Sequence, residues 1–320
     1  MSTISGFLRV NAEKPHLMTK LALGDLELFS FVENRSYIDG GSIYGVIPKK
    51  LWSKLTPCDE NNLVPLDMNI ILIKAHGKCI MVDCGLGDVL TDRERKLYGC
   101  TAPSRLDESL TRLGLSSDRI DIVIPTHLHL DHVGGTFALD DNGDVTPKFP
   151  NARHLIRKQE WDVAMNPDDR SRAAYPSDNL RCLQDAGLIE FVDSDTEVLG
   201  GIKLVLTGGH TAGHQATVIT SGDQNVVCCA DMIPTTGHLR PEYIASSDLF
   251  PLDTLAYKKK LLDKIVDRNW IVAFDHDLEY KFAKLKRDGR NVIPEKVGEP
   301  FLAVLKTCEE NRTDSHNATG

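Results

Sequence analysis

The 320-residue chain predicts an α/β protein of the α+β type, folded as a four-layer αββα sandwich. Three observations predict it. Strand-rich stretches occur in both halves, each followed by segments with helical periodicity. No Pro-, Gly- or Ser-rich linker divides the halves, so residues 1–308 read as a single domain. The apolar runs end repeatedly in His and Asp, which places one polar site along an edge shared by the two sheets.

The elements follow in order. The first 65 or so residues read as an N-terminal extension contributing to a pocket or a dimer contact. Within it "GGSIYGVIPKKLW" (40–52) is either a connector or a loop lining the site. "MNIILIKA" (68–75) and "KCIMVDCG" (78–85) flank His76-Gly77 and predict a hairpin. "TDRERKLYG" and "SRLDESLTRLGL" read as helices, the second ending near Gly114. "IDIVIPT" (120–126) is a continuous apolar run, the pattern of a strand buried on both faces. "ARHLIRK" predicts a strand, and "KQEWDVAMN" a helix stopped by Pro167. "LIEFVD", "GIKLVLTG", "QATVITS" and "QNVVCCAD" predict four more strands, with a hairpin turn at 221–223. Leu255, Leu261, Leu262, Ile265 and Val266 mark one face of a helix over 252–268. "WIVAFDHD" (270–277) is a last strand with a polar end, and the polar residues 309–320 are expected to be disordered.

Composition narrows the function classes. Hydrophobic residues make up 41% and charged residues 26%, ordinary for a soluble globular chain. The net charge of −9 argues against nucleic acid as a partner. The run Lys258–Lys260 reads as a solvated helix face. No apolar window is long enough for a membrane span, and the first residues lack the apolar core of a signal peptide. Eight cysteines without a regular framework, two of them adjacent in "VVCCA", fit reduced thiols and a cytoplasmic setting.

The chemistry starts at "PTHLHLDH" (125–132), which holds His127, His129, Asp131 and His132. Imidazole and carboxylate are ligands for zinc and related ions, and three histidines with an aspartate in six positions far exceed a polar turn. In extended chain the two rings flanking Leu128 point the same way. Gly134 and Gly135 then permit a bend. Four neighbouring residues are too crowded to surround one tetrahedral ion, so further ligands must come from other strand ends. His210 in "LTGGHTAGH", Asp231 in "VVCCADM", and Asp275, His276 and Asp277 in "IVAFDHD" are the candidates.

H-x-H-x-D-H at 127–132, then His210, Asp231 and His276, resembles the metallo-β-lactamase superfamily over most of the chain. "DGGSIYGVIPKKLW", "TAGHQ", "ADMIPT" and "FDHD" resemble its YtnP-like, quorum-quenching N-acyl-homoserine lactonase branch. The resemblance implies the metallo-β-lactamase fold and two divalent ions, zinc or alternatively manganese, iron or cobalt. It assigns His127, His129 and His210 to one ion, Asp131, His132 and His276 to the other, and Asp231 to both. A hydroxide bridging the ions would attack a lactone carbonyl, with Asp131 relaying a proton to the leaving oxygen.

Asp83 would orient a ligand histidine, although a strand-end turn explains it too. His214 reads as a hydrogen-bonding neighbour rather than a ligand. Some homoserine lactonases carry a tyrosine three residues after the bridging aspartate, where this chain has Pro234, which has no donor. His238 is the first candidate to replace it, with Tyr44 and Tyr243 behind. Ile43, Tyr44, Val46, Ile47, Tyr243 and Phe250 are candidates for holding an acyl chain. The resemblance also allows a homodimer. The same ligand set serves a phosphotriesterase, phosphodiesterase or thioester hydrolase, and more remotely a non-catalytic metal-binding module.

Overall fold

The computed structural model describes residues 18–100 and 102–301. Residues 309–320, expected to be disordered, lie outside them.

One sheet orders eight strands as Glu299–Phe301, Met18–Leu23, Leu26–Asp39, Leu63–Ala75, Lys78–Val82, Ile122–Ile124, Arg153–Arg157 and Ile189–Val192. The second orders seven as Thr196–Leu199, Ile202–Leu206, Gln215–Ser221, Gln224–Cys228, Ile271–Ala273, Phe282–Asp288 and Asn291–Val297. The hairpin at His76-Gly77 forms with both residues at positive φ.

Strand alternation builds the layers. Ile71, Ile73, Ile80, Val82, Ile122 and Ile124 face Ile202, Leu204, Val226, Cys228, Ile271 and Ala273 in the core between the sheets. Their neighbours Ile70, Leu72, Met81 and Val123 point outward against Leu106 and Leu110 of the helix Leu106–Arg112. On the far side Val227, Cys229, Val272 and Phe274 pack on Leu261, Leu262 and Ile265 of the helix Pro251–Asp267. Helix, sheet, sheet and helix are thus stacked in the four layers the sequence predicts.

Three readings change. Residues 18–39, placed in an extension, form two paired strands of the first sheet. Lys258, assigned to a solvated face, is 1% exposed and donates from Nζ to the carbonyl of Tyr243 at 2.6 Å. Gly134 and Gly135 do not adopt positive φ. A Cβ on Gly134 would stand 2.1 Å from Leu86 O, and one on Gly135 2.1 Å from Cys84 O. The glycines therefore permit backbone-to-backbone contact between the histidine loop and the segment after Val82, not a left-handed turn. Among the described residues no helix is long and apolar enough to cross a membrane.

Candidate metal centre

The histidine loop leaves the buried strand Ile122–Ile124 and is held at almost every turn. Thr126 N donates to Asp83 Oδ1 at 2.7 Å, and Gln215 N donates to Thr126 O at 2.8 Å. Leu128 N donates to Glu160 Oε1 at 3.1 Å. Cys84 N donates to His132 O at 2.7 Å. Buried Glu160 also accepts from Thr211 Oγ1, Gly213 N and the Tyr175 hydroxyl, so one carboxylate ties the His127–His132 loop to the His210 loop. Asp83 and Ala230 have positive φ, of 57° and 42°, although neither is glycine. Such backbone strain beside a cluster of functional groups is characteristic of sites whose geometry the fold enforces.

The loops and strand ends bring seven predicted residues together in two groups that share Asp231. His127, His129, His210 and Asp231 each offer one atom within 4.8 Å of the others, and so do His132, Asp231, Asp275 and His276. Asp231 divides its carboxylate between them. Oδ2 lies 3.0 Å from His210 Nε2 and 3.8 Å from His127 Nε2. Oδ1 lies 3.2 Å from His276 Nε2 and 3.5 Å from His132 Nε2. Asp131 Oδ2 is 3.9 Å from the Nε2 atoms of both His132 and His276.

The remaining ring nitrogens fix which lone pairs face inward. His132 Nδ1 donates to Asp83 Oδ2 at 3.0 Å, His210 Nδ1 to Asp248 Oδ1 at 2.9 Å, and His276 Nδ1 to Asp67 O at 3.0 Å. Thr126 Oγ1 donates to Asp83 Oδ2 and so accepts from His127 Nδ1 at 3.1 Å. Each of these four rings therefore turns its Nε2 toward the centre, the nitrogen with which such imidazoles would hold a metal.

Inward-facing nitrogens approach one another closely: His127 Nε2 to His129 Nδ1 at 3.0 Å, His210 Nε2 to His129 Nδ1 at 3.1 Å, His276 Nε2 to His132 Nε2 at 3.3 Å. Burial, followed by the neighbouring imidazoles, holds His127 and His129 well below the usual histidine range, in the neutral form that binds metals. Burial also pulls down His210 and His276, but Asp231 with Asp248 outweighs it at the first, and Asp275 with Asp231 at the second. They rise to about 10 and about 9. Oδ1 of Asp231 and both oxygens of Asp275 are buried without hydrogen-bond partners. Crowded lone pairs and orphaned carboxylate oxygens are costly alone and fit a site built for cations.

The family profile of the metallo-beta-lactamase superfamily matches residues 63–276, a span that contains every residue of both groups. The chain belongs to this superfamily. Among curated relatives, the N-acyl homoserine lactonase AiiA of Bacillus thuringiensis subsp. kurstaki is 25% identical over 71% of this chain and 86% of its own length. AttM of Rhizobium radiobacter, also named an N-acyl homoserine lactonase, is 24% identical over 60% of this chain and 69% of its own. Among solved structures, a probable metal-dependent hydrolase from Staphylococcus aureus superposes with a TM-score of 0.79 at 28% identity, covering 87% of this chain and 99% of that one. AidC, a dizinc quorum-quenching lactonase, gives 0.75 at 22% identity, covering 90% and 99%.

The superfamily frame leaves several predicted residues in other places. His214 sits with its ring 5.2 Å from that of His127, and its Nδ1 meets Thr207, outside both groups. His238 is fully buried. Its Nδ1 meets Thr235 Oγ1 at 2.8 Å and its Nε2 the carbonyl of Ile43 at 3.0 Å, so neither nitrogen is free for a substrate. Its ring stacks on Tyr44 at 4.7 Å, and Tyr44 stacks in turn on Trp52. Tyr44 and Tyr243 belong to a core cluster, with Ile43 and Ile47 packed against it. Val46 is 94% exposed and Phe250 45% exposed, so these two are open to an apolar ligand.

Three contributors carry no motif of their own: Asp248, which orients His210; the Asp67 carbonyl, which orients His276; and the buried Tyr98 phenol, which burial and the Asp131 and Asp231 carboxylates hold in its protonated form. Lys281 Nζ steadies the Asp67 segment, donating to Asp67 Oδ2, Asn69 Oδ1 and Asp277 O.

Proposed function

We propose that the protein is a dinuclear metal-dependent hydrolase that opens the lactone ring of N-acyl-homoserine lactones or related lactones. The observation that carries this reading is the carboxylate of Asp231, aimed with one oxygen at His210 and His127 and with the other at His276 and His132. A carboxylate shared this way suits two adjacent cations. Relatives named N-acyl homoserine lactonase support the substrate class.

In this reading His127, His129 and His210 hold one ion, Asp131, His132 and His276 the other, and Asp231 both. Divalent ions, zinc first among them, would supply Lewis acidity toward the carbonyl and an activated water at neutral pH. The chain's residues do the rest. Asp131, with its side chain 19% exposed, stands where solvent reaches the site. It takes a proton from the attacking water and returns it to the alkoxide oxygen that leaves. Burial, then Asp131 and Asp231, keeps the Tyr98 phenol protonated, so it remains a donor available to the Asp131 carboxylate. With Pro234 lacking a donor and His238 committed on both nitrogens, Tyr98 is the phenol this reading places beside Asp131. Val46 and Phe250 provide exposed apolar surface for an acyl chain, while Tyr44 and Tyr243, with Ile43 and Ile47 packed on them, belong to the core beneath the loop that carries Val46.

Metal analysis combined with a substrate panel tests the proposal. Acyl-homoserine lactones, phosphotriesters, phosphodiesters and thioesters are offered to the wild type and to Asp131→Asn. About two ions per chain and preferred lactone turnover are expected, with kcat reduced at least ~100-fold in the variant. Full activity with a single ion, or preference for a phosphorus or thioester substrate, overturns it.

A further inference from the structure

The two groups around Asp231 are unequally supplied with oxygen. The first has three ring nitrogens and one carboxylate; the second has two ring nitrogens, Asp231 and Asp275 within the same 4.8 Å, with Asp131 beside them. Asp275 is 9% exposed, and its Oδ2 lies 3.3 Å from His276 Nε2. Neither of its oxygens has a hydrogen-bond donor. The nearby buried ammonium of Lys281 is committed to Asp67, Asn69 and the Asp277 carbonyl. Main-chain bonds leave Asp275 little freedom to turn away. Its carbonyl accepts from Asn69 N at 2.7 Å, and the Asn69 side chain donates to the carbonyls of Phe274 and Asp277. These bonds clamp the end of the Ile271–Ala273 strand to the other sheet.

A buried carboxylate without a hydrogen-bond donor, held where the Nε2 atoms of His132 and His276 converge with Asp231, fits a cation at that position. We infer that Asp275 is a third carboxylate for the cation held by His132 and His276, making that position richer in oxygen than the one formed by His127, His129 and His210. The inference rests on the dinuclear reading above. Three carboxylates beside one position lower its preference for zinc over manganese, because carboxylate suits manganese and imidazole suits zinc.

The test is a titration of metal-free protein with zinc, and separately with manganese, against a chromophoric chelator, for wild type and Asp275→Asn. Urea denaturation of the metal-free forms accompanies it. The wild type takes two zinc ions. Asp275→Asn keeps the tighter one unchanged and releases the other at least ~10-fold more readily, with a larger loss for manganese than for zinc. The urea curves establish that the metal-free variant is folded, so that a change in affinity is not a loss of fold. A purely structural aspartate would weaken both positions together or neither, not the one that contains His132 and His276 alone. Two ions bound as tightly in the variant as in the wild type overturn the inference alone. Fewer than two ions in the wild type overturn the dinuclear reading and the inference with it.

Discussion

Replacing Asp83 by asparagine tests how the chain imposes a proton arrangement on its imidazoles. Asp83 is 4% exposed and accepts three bonds: Thr126 N on Oδ1, and Thr126 Oγ1 and His132 Nδ1 on Oδ2. Asparagine has one oxygen and one NH2 in the same space. If the oxygen stays on Thr126 N, the NH2 faces His132 Nδ1–H, donor against donor. The clash is relieved when His132 moves its proton to Nε2, the atom that faces His276 at 3.3 Å and Asp231 at 3.5 Å. That tautomer has no lone pair for a metal. Loss of such an orienting partner costs roughly 10- to 100-fold in metal affinity, or about 1.4–2.8 kcal/mol. The loss falls on the position that contains His132. His127 is touched only through the Thr126 hydroxyl, so the other position should change by less than about threefold. Chelator competition resolves the two affinities, and circular dichroism checks that the fold survives. A variant that retains both ions at wild-type affinity refutes the argument that Asp83 sets the His132 tautomer.

Other consequences are measurable. Tyr98→Phe removes the phenol proposed to donate to Asp131; kcat should fall roughly 10- to 100-fold with KM nearly unchanged, the worth of one hydrogen bond to a charged group. A proportional rise in KM instead would assign Tyr98 to substrate binding. His154 is buried away from the centre, and burial lowers its pKa from 6.5 to about 4. The unfolded chain therefore binds the extra proton first, and stability is lost as pH falls from about 6.5 toward 4, by at most ~3 kcal/mol. His154→Phe should flatten that part of the urea-denaturation profile, and an unchanged slope refutes it. Burial lowers Lys258 from 10.5 to about 8. The unfolded chain again binds more protons in between, so wild-type stability should rise from pH 8 to 10.5. Lys258→Met should remove that rise, and a variant with the same slope would show the ammonium to be charged in the fold.

The same physics explains what the sequence shows of the fold. Runs such as "NIILI" and "VVCC" are apolar at every position because alternate residues feed two different cores, so they stand out without any periodicity. Leu26–Asp39 is the longest strand among the described residues and does not stand out. It buries Glu33, Asn34 and Ser36 among its apolar residues, and its register shifts between Val32 and Asn34. A bulge reverses which face the following side chains occupy and so breaks the alternation that marks a strand. The hairpin Phe282–Asp288 with Asn291–Val297 is hidden for another reason. It forms the open edge of the second sheet, and none of its outer strand is fully buried, so no apolar run marks it.

At the site, legibility follows from how narrowly chemistry restricts each position. A cation contact admits few residue types, so the groups that face the centre appear as His and Asp at the ends of apolar runs. The partners that turn those rings need only be acceptors. Asp248 stands 38 positions from His210, and nothing in its surroundings marks it. The acceptor for His276 is the backbone carbonyl of Asp67, 209 positions away, and any residue at 67 would have one. The side chain of Asp67 still constrains the position indirectly, since it pairs with Lys281 and Arg35 and so holds its own carbonyl in place. Replacing Asp67 by leucine would leave the acceptor chemically intact while freeing the segment that aims it. The same loss of ring orientation would then follow at His276 as at His132, reached through packing and charge rather than through the hydrogen bond itself.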